Sequence, residues 1–231
     1  MEKLIVTRAR PITLANQKQL VTATNALAEQ CKIMRAIFVQ TGTPPLRDFT
    51  SDFAGLAKII TGQQLSIASA AAIWSRVSAA IQPFDAAHIV ATPNSTLAAL
   101  GFSGAKIRTL KAVATAIAED GFDMAALARV SDATVIERLT SLHGIGPWTA
   151  DIYLLFALRR ADAFPTGDLA LQQIVQRLMK LETRPTSAQL ADISERWRPW
   201  RGAAARLLWA ECALRRQRAA QDKKSEKSRS R

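Results

Sequence analysis

Apolar residues recur along this chain at the spacing of amphipathic α-helices. Two segments carry apolar residues at i, i+3, i+4 and i+7, namely Phe53, Leu56, Ala57 and Ile60, then Leu171, Ile174, Val175 and Leu178. Further helical patterns cover residues 18–40, 63–81, 92–101, 103–120, 131–141, 186–197 and 200–217. The only strand-like run is LIVT, residues 4–7. The sequence therefore predicts an all-α fold of about ten helices joined by short loops.

Residues 142–155, LHGIGPWTADIYLL, interrupt this pattern with a tight turn. Gly144 and Gly146 permit the positive φ angles that a turn of about four residues needs, and they leave backbone N–H groups uncovered. Pro147 suits the first position of the next helix. Because a helix N-terminus is partly positive, it would suit an anion such as a DNA phosphate. A Gly-x-Gly turn is also a common plain connector, and the turn alone fits both interpretations.

Charge is concentrated at one end of the chain. The 231 residues carry a formal net charge of +12, and residues 215–231, RRQRAAQDKKSEKSRSR, hold eight basic and two acidic residues. A basic body with a basic tail indicates a polyanionic partner, most simply nucleic acid, although a solvated surface with a soluble tail explains the charge equally well. We expect one domain of two helical lobes over residues 1–217 and a basic disordered tail over 218–231.

Composition excludes several kinds of site. The two cysteines, Cys31 and Cys212, exclude a disulfide framework and a four-cysteine zinc or iron–sulfur site. No apolar run reaches the about 18 residues of a membrane span, and the N-terminus has no signal-peptide pattern. We expect a cytoplasmic protein, nucleoid-associated in a bacterium, that is a monomer with no membrane partner.

Five blocks of the chain, in order, resemble the helix-hairpin-helix DNA glycosylases. The resemblance covers roughly residues 30–212, and the five blocks are FAGLAKIITGQQLSIASA, ALGFSGAKIRTLKAVA, LTSLHGIGPWTADIYLLFAL, DAFPTGDLALQQ and RWRPWRGAAARLLWA. They look like the alkylation-repair branch, DNA-3-methyladenine glycosylase II. The resemblance implies a compact two-lobed helical bundle with a DNA-binding cleft between the lobes, and double-stranded DNA with damaged bases as the partner.

The resemblance implies that Asp168 is the catalytic residue. Its carboxylate would offset the positive charge that develops on the sugar as the base leaves, and would orient water toward C1′. The pattern also fits an ordinary N-cap aspartate. The two interpretations are compatible, since a helix N-terminus stabilises a carboxylate.

The resemblance also indicates how a flipped base would be held and replaced. Trp148 and Trp209 would offer aromatic faces to a cationic alkylated purine, and each is alternatively a core residue. Gln64 aligns with the intercalating position and Leu65 is next to it, which leaves the wedge open between the two. Alternatively, Gln63 and Gln64 cap the helix that follows.

At the hairpin, the resemblance implies a grip on the DNA backbone. Gly144 and Gly146 would contact a phosphate, and Lys106 is either a phosphate contact or a solvated charge. The family often holds Na⁺ or K⁺ at this turn through main-chain carbonyls, and no other cofactor is required. By position, these carbonyls belong to Thr140, Leu142 and Ile145.

Family members that also cut the strand carry a lysine just after the hairpin, which forms a Schiff base with the sugar. Trp148 occupies that position here. The resemblance therefore implies a monofunctional glycosylase that flips out and hydrolytically excises alkylated purines such as 3-methyladenine and 7-methylguanine, initiating base excision repair. One rival is a non-catalytic helix-hairpin-helix DNA-binding module. Another is a structural helical protein whose basic tail binds a protein.

Overall fold

The computed structural model describes the backbone of residues 11–47 and 49–229, and the side chains of these residues as far as residue 222. Twelve α-helices follow one another there: α1 (Gln17–Gln30), α2 (Lys32–Thr41), α3 (Phe53–Gly62), α4 (Ile67–Ala80), α5 (Ala86–Ala91), α6 (Asn94–Ala99), α7 (Gly104–Ala118), α8 (Asp132–Thr140), α9 (Pro147–Ile152), α10 (Leu169–Met179), α11 (Ser187–Ser194) and α12 (Arg201–Arg229). Short 3₁₀ turns cover Ala125–Arg129 and Glu195–Trp197, and a π-helical turn, Tyr153–Ala157, continues α9.

The all-α class is confirmed. Across the described residues, extended pairing is limited to one isolated bridge between Thr13 and Arg160. The strand-like run at residues 4–7 lies outside the described residues. Two more α-helices are present than the sequence predicts, partly because one long pattern divides.

The helix predicted over residues 18–40 is wrong as a single element, since α1 and α2 divide it at Cys31. Cys31 has an extended backbone, with φ −136° and ψ 116°. Arg35 Nε donates to the carbonyl of Ala28 at 2.8 Å, and Arg35 Nη2 donates to that of Glu29 at 3.1 Å. These bonds satisfy carbonyls in the last turn of α1 that lack intrahelical partners. The break therefore needs neither glycine nor proline.

The helix starts predicted at Ser131, Pro147 and Asp168 are present. Ser131 Oγ accepts the N–H of Thr134 at 3.2 Å, and Pro147 occupies the first turn of α9. The segment predicted to be helical from residue 63 begins instead at Ile67, with Ser66 as its cap. Since α3 runs through Gly62, residues 63–66 form the connection to α4 and are not part of either helix.

The described chain forms two compact units, and the first contains residues 11–13 and 49–160. Its core combines apolar residues of α3, α7 and α8 with the π-helical turn, among them Leu56, Ile60, Leu110, Val113, Val135, Leu139 and Leu155. Tyr153 is fully buried, and its hydroxyl donates to the carbonyl of Ser51 at 2.7 Å. Burial, with a smaller contribution from Asp52, raises the pKa of Tyr153, so the hydroxyl remains a protonated donor.

A buried arginine fixes the segment that leads into α8. Arg160 Nη2 donates to the carbonyls of Ala128 and Val130 at 3.1 and 3.0 Å. Its Nε lies 3.2 Å from Oδ1 of Asp132, the first residue of α8. Because Arg160 is 3% exposed, these partners are needed to satisfy its buried charge.

The second unit contains residues 14–47 and 161–229 of the described chain. Helices α1, α2 and α10 pack on the first half of α12, and the core includes Leu20, Leu27, Met34, Leu171, Val175, Leu207 and Leu208. Arg201 Nε and Nη2 donate to Asp162 Oδ1 and Oδ2 at 3.0 and 2.9 Å. This two-point contact fixes the first turn of α12, the helix that also carries Trp209.

Helix α12 is 29 residues long and continues to Arg229, through the segment for which the sequence predicts a disordered tail. The disordered tail over residues 218–231 stays a prediction beside this helical backbone. The composition of this segment favours a helical backbone, because it contains no glycine or proline and is rich in Ala, Gln, Lys and Arg. Among the described helices, none combines the length and hydropathy that a membrane crossing requires.

Candidate active site

The turn between α8 and α9 is a close-packed hairpin. Gly144 has a φ of +78°, and a Cβ built on it would lie 1.9 Å from Thr109 Oγ1. Only glycine fits this position, because the backbone is left-handed and α7 presses against it. The N–H of Ile145 donates to the carbonyl of Leu142 at 3.1 Å, and Ile145 is buried. The hairpin is thus fixed from inside the first unit.

Gly146 serves a different purpose from Gly144. Its φ is −95°, which any residue adopts, and a Cβ added there would meet nothing within 4 Å. The N–H groups of Thr149 and Ala150 donate to its carbonyl at 3.0 and 3.1 Å, which starts α9. The outer side of Gly146 is open, so a bound group could approach the backbone there.

Residues 62–66, GQQLS, contain the last residue of α3 and the connection to α4, and we call them the GQQLS loop. Residues 64–66 are exposed, whereas Gln63 is half-buried. Gln64 lies at the tip of the loop with a φ of +55°, a left-handed conformation that is uncommon for a non-glycine residue. Leu65 is 40% exposed and Ile67, just after the loop, is 73% exposed. The interpretation that Gln63 and Gln64 cap the next helix is wrong, since Ser66 Oγ accepts the N–H of Ser69 at 3.1 Å.

Two side chains from other helices bond to this loop region. Gln63 Nε2 donates to Thr149 Oγ1 on α9 at 2.9 Å. Lys106 Nζ, from α7, donates to the carbonyl of Thr61 at 2.6 Å. Partial burial lowers the pKa of Lys106. The predicted phosphate contact of Lys106 stays a prediction, and the ammonium already has a partner inside the protein.

Trp148 lies in the first turn of α9, directly after the hairpin. It is half-buried, whereas its neighbours Thr149 and Ala150 are buried. The core interpretation therefore does not describe it fully, and part of the indole remains accessible. Its role as a face for a flipped base stays a prediction.

In the second unit, Asp168 and Trp209 are in direct contact. Asp168 caps α10, where its Oδ1 accepts the N–H of Leu171 at 3.0 Å. The same Oδ1 accepts the indole N–H of Trp209 at 3.2 Å. Two N–H donors therefore hold and orient the carboxylate of a residue that is only half-buried. Trp209 thus supports Asp168 directly, a contact that the sequence pattern does not reveal.

Apolar and sulfur-containing groups adjoin Asp168. Leu169, the next residue, is 57% exposed. Cys212 Sγ lies 3.8 Å from the carbonyl of Ala170, one turn beyond Trp209 on α12. Burial raises the pKa of the Cys212 thiol, which keeps it neutral beside the carboxylate.

The carbonyls predicted to hold a monovalent cation belong to Thr140, Leu142 and Ile145 at the hairpin. Among the described side chains, no group of three His, Cys, Asp or Glu residues is suited to a metal. Neutral carbonyl oxygens are hard ligands that suit Na⁺ or K⁺. The carbonyl of Leu142 already accepts the N–H of Ile145, and a carbonyl oxygen has a second lone pair for another partner. The ligand type therefore suits such an ion, and the cation at the hairpin stays a prediction.

Sequence reasoning missed two contacts at these sites. The bond between Gln63 and Thr149 joins residues 86 positions apart, and the bond between Asp168 and Trp209 joins residues 41 apart. No local periodicity encodes either pair. The available signals were chemical, namely a second glutamine in the GQQLS loop and a tryptophan one position off the apolar stripe of α12.

Comparison with known proteins agrees with this arrangement. The family model described as "HhH-GPD superfamily base excision DNA repair protein" matches residues 57–199. DNA-3-methyladenine glycosylase 1 of Schizosaccharomyces pombe is 35% identical over 163 residues, which are 69% of this chain and 72% of that protein. A Bacillus subtilis relative is 29% identical over 76% of this chain, and the match spans only 64% of its own length.

A solved structure has the same fold. The Schizosaccharomyces pombe 3-methyladenine DNA glycosylase, in complex with abasic DNA, superposes with a TM-score of 0.72 at 29% identity. The match covers 81% of this chain and 95% of that one. The fold defines a helix-hairpin-helix protein, and the matched residues define its family. The chain belongs to the HhH-GPD superfamily of base excision DNA repair proteins.

Proposed function

We propose that this protein is a monofunctional DNA glycosylase that hydrolyses the N-glycosidic bond of alkylated purines in duplex DNA. The observation that carries the proposal is the carboxylate of Asp168, which caps α10 and accepts the indole N–H of Trp209 at 3.2 Å. A carboxylate held in place by N–H donors is suited to act on a sugar that develops positive charge. The relatives named as 3-methyladenine glycosylases support alkylated purines as the substrate class.

The reaction we propose is hydrolysis at C1′. The bond between C1′ and the base nitrogen breaks with its electron pair going to the base, which neutralises the positive charge of an alkylated purine. The carboxylate of Asp168 offsets the charge that develops on the sugar. Water adds to C1′ and gives up one proton, which leaves an abasic site.

The base must first leave the stack, and the first unit carries groups suited to this step. Gly144 and Gly146 present the hairpin to a phosphate, and Gly146 is open on its outer side. Gln64 and Leu65 are exposed at the GQQLS loop, where one of them fills the vacated space. A Na⁺ or K⁺ ion held by the carbonyls of Thr140, Leu142 and Ile145 would add positive charge beside the phosphate.

Trp148 supports the absence of strand cleavage. A strand-cutting relative would need an amine just after the hairpin to attack the sugar, and an indole cannot form a Schiff base. The half-buried ring instead offers an aromatic face, which attracts a cationic purine by about 0.5–2 kcal/mol.

Base release from a panel of duplexes tests this function. Duplexes carrying 3-methyladenine, 7-methylguanine, hypoxanthine or ethenoadenine are incubated with the protein, and free base and strand breaks are measured separately. We expect release of the methylated purines, with strands that stay intact until alkali cleaves the abasic site. Strand breaks without alkali would contradict the monofunctional assignment. Salt-dependent DNA binding without release of any base would favour the non-catalytic module.

A further inference from the structure

The tip of the GQQLS loop holds a backbone that a non-glycine residue rarely adopts. Gln64 has a φ of +55°, and unlike glycine it carries a Cβ that makes this left-handed conformation unfavourable. Such a conformation persists only where the surroundings fix it. The contacts around the loop are therefore informative about how it works.

The first contact fixes the loop to the helix after the hairpin. Gln63 Nε2 donates to Thr149 Oγ1 at 2.9 Å, and Thr149 is 2% exposed. A buried hydroxyl cannot move to follow a mobile loop, so it holds Gln63 in place. Thr149 directly follows Trp148, which places this anchor within the first turn of α9.

The second contact joins α7 to the last turn of α3, directly before the loop. Lys106 Nζ donates to the carbonyl of Thr61 at 2.6 Å. One turn further along α7, Thr109 packs against Gly144 so closely that a Cβ there would lie 1.9 Å from its Oγ1. Helix α7 therefore holds the end of α3, from which the loop leaves, through Lys106, and it contacts the hairpin through Thr109.

We propose that Gln63 and Lys106 are positioning residues that fix the GQQLS loop to the hairpin, so that loop and hairpin engage DNA as one rigid piece. This inference rests on the proposed function, because it assumes that the loop enters the duplex. Neither side chain contacts the DNA base in this account. Lys106 acts through the carbonyl of Thr61, and Gln63 acts through Thr149.

The inference differs in a measurable way from a phosphate contact by Lys106. Loss of a phosphate contact weakens binding to every duplex and lowers the salt dependence of affinity by about one ion. Loss of a positioning contact leaves the salt dependence unchanged and reduces insertion of the loop. The charge of Lys106 is then needed only inside the protein.

The first experiment compares Lys106→Met with Lys106→Arg and the wild type. The probe is a duplex with 2-aminopurine beside a tetrahydrofuran abasic site, whose fluorescence rises when the neighbouring stack opens. We expect Lys106→Met to lose most of the fluorescence change and about tenfold in single-turnover base release, with an unchanged salt slope. Lys106→Arg, which keeps a donor, should recover part of both. A salt slope lower by about one, with undiminished fluorescence, would overturn the role of Lys106.

The second experiment tests the contact between Gln63 and Thr149. Thr149→Val removes the hydroxyl, and Thr149→Ser keeps it as the matched control. We expect Gln63→Ala and Thr149→Val each to lower the fluorescence change about threefold or more, and the double variant to lose no more than either alone. Thr149→Ser should retain the wild-type signal. Additive losses would overturn the coupling.

Folding and catalysis are checked separately from positioning. Thermal melting identifies any variant that fails to fold. In that case the conservative variants Thr149→Ser and Lys106→Arg, which keep the hydroxyl and the charged donor, decide the outcome. Retention of the wild-type fluorescence change supports the inference, and its loss contradicts it. Base release by the wild type tests the proposed function itself. Suppose that the wild type releases base, and that the Lys106→Met and Thr149→Val variants fold and insert the loop normally. In that case only this inference fails. If the wild type releases none, the proposed function fails.

Discussion

At the residue scale, one oxygen atom of Asp168 serves both the fold and the proposed chemistry. Oδ1 caps α10 through the N–H of Leu171 and also accepts the indole N–H of Trp209. These donors orient the carboxylate. The N-cap of α10 and the proposed catalytic carboxylate are therefore the same group.

The role of Trp209 yields the first prediction. Trp209→Phe keeps an aromatic ring but removes the indole donor to Asp168. Because a hydrogen bond to a charged group is worth about 1.5–3 kcal/mol, single-turnover base release should fall at least about tenfold. The loss should be equal for cationic 3-methyladenine and for any neutral base of the panel that the wild type releases, which single-turnover assays on both duplexes would measure.

Trp200→Phe is the matched control, since it makes the same chemical change about nine residues earlier in the chain. It should leave base release unchanged. A loss in Trp209→Phe that is confined to cationic bases would contradict a positioning role and favour the aromatic pocket.

At the element scale, the hairpin uses its two glycines for different reasons. Gly144 has a left-handed backbone pressed against Thr109, whereas Gly146 has ordinary backbone and an open outer side. Gly144 is needed for the hairpin to fold. Gly146 leaves the outer side of the hairpin open to a bound group such as a phosphate.

This difference yields the second prediction. Gly144→Ala should destabilise the protein by more than about 2 kcal/mol, because it adds backbone strain and a clash with Thr109. Gly146→Ala should change the free energy of unfolding by less than about 0.5 kcal/mol but weaken DNA binding, since its methyl group stands where a phosphate would approach. Urea denaturation and DNA titration measure the two effects. Equal destabilisation by both substitutions would contradict this division.

Element ends were predictable where side chains specify them locally. Ser131, Pro147 and Asp168 each lie where capping chemistry predicts a helix start. The division at Cys31 was not predictable, because Arg35 caps α1 only once α2 has turned back on it. The start of α4 was missed for a related reason, since GQQLS is compatible with helix until α3 is known to run through Gly62.

At the scale of the whole molecule, charge is the property most relevant to DNA. The chain carries +12, and residues 218–231 contribute six basic and two acidic residues. The backbone of α12 continues through most of this basic segment, to Arg229.

Removal of residues 218–231 yields the third prediction. Affinity for undamaged duplex should fall, and the slope of log affinity against log salt should become shallower by up to about 4. Stability should change by less than about 0.5 kcal/mol, because Arg218 makes only an exposed contact with Gln40. DNA titrations between about 50 and 200 mM salt measure the slope, because phosphate contacts weaken steeply over this range. An unchanged slope would show that the segment does not contact DNA.

The all-α fold and the helix-capping position of Asp168 could be predicted, because apolar periodicity and capping are written in neighbouring residues. The contacts of Gln63, Lys106 and Trp209 could not, since each joins segments that only the fold brings together. The family resemblance indicated the candidate site residues, but it did not indicate which contacts hold their side chains in place.

The central claim is that the ionised carboxylate of Asp168 drives base release, and Asp168→Asn tests it most directly. Asparagine caps a helix as well as aspartate and can accept the same N–H donors, so α10 and Trp209 should be undisturbed. Single-turnover release of 7-methylguanine from duplex DNA should fall about 100-fold or more, with thermal stability and affinity for abasic DNA retained. Undiminished base release by a folded Asp168→Asn variant would contradict the account.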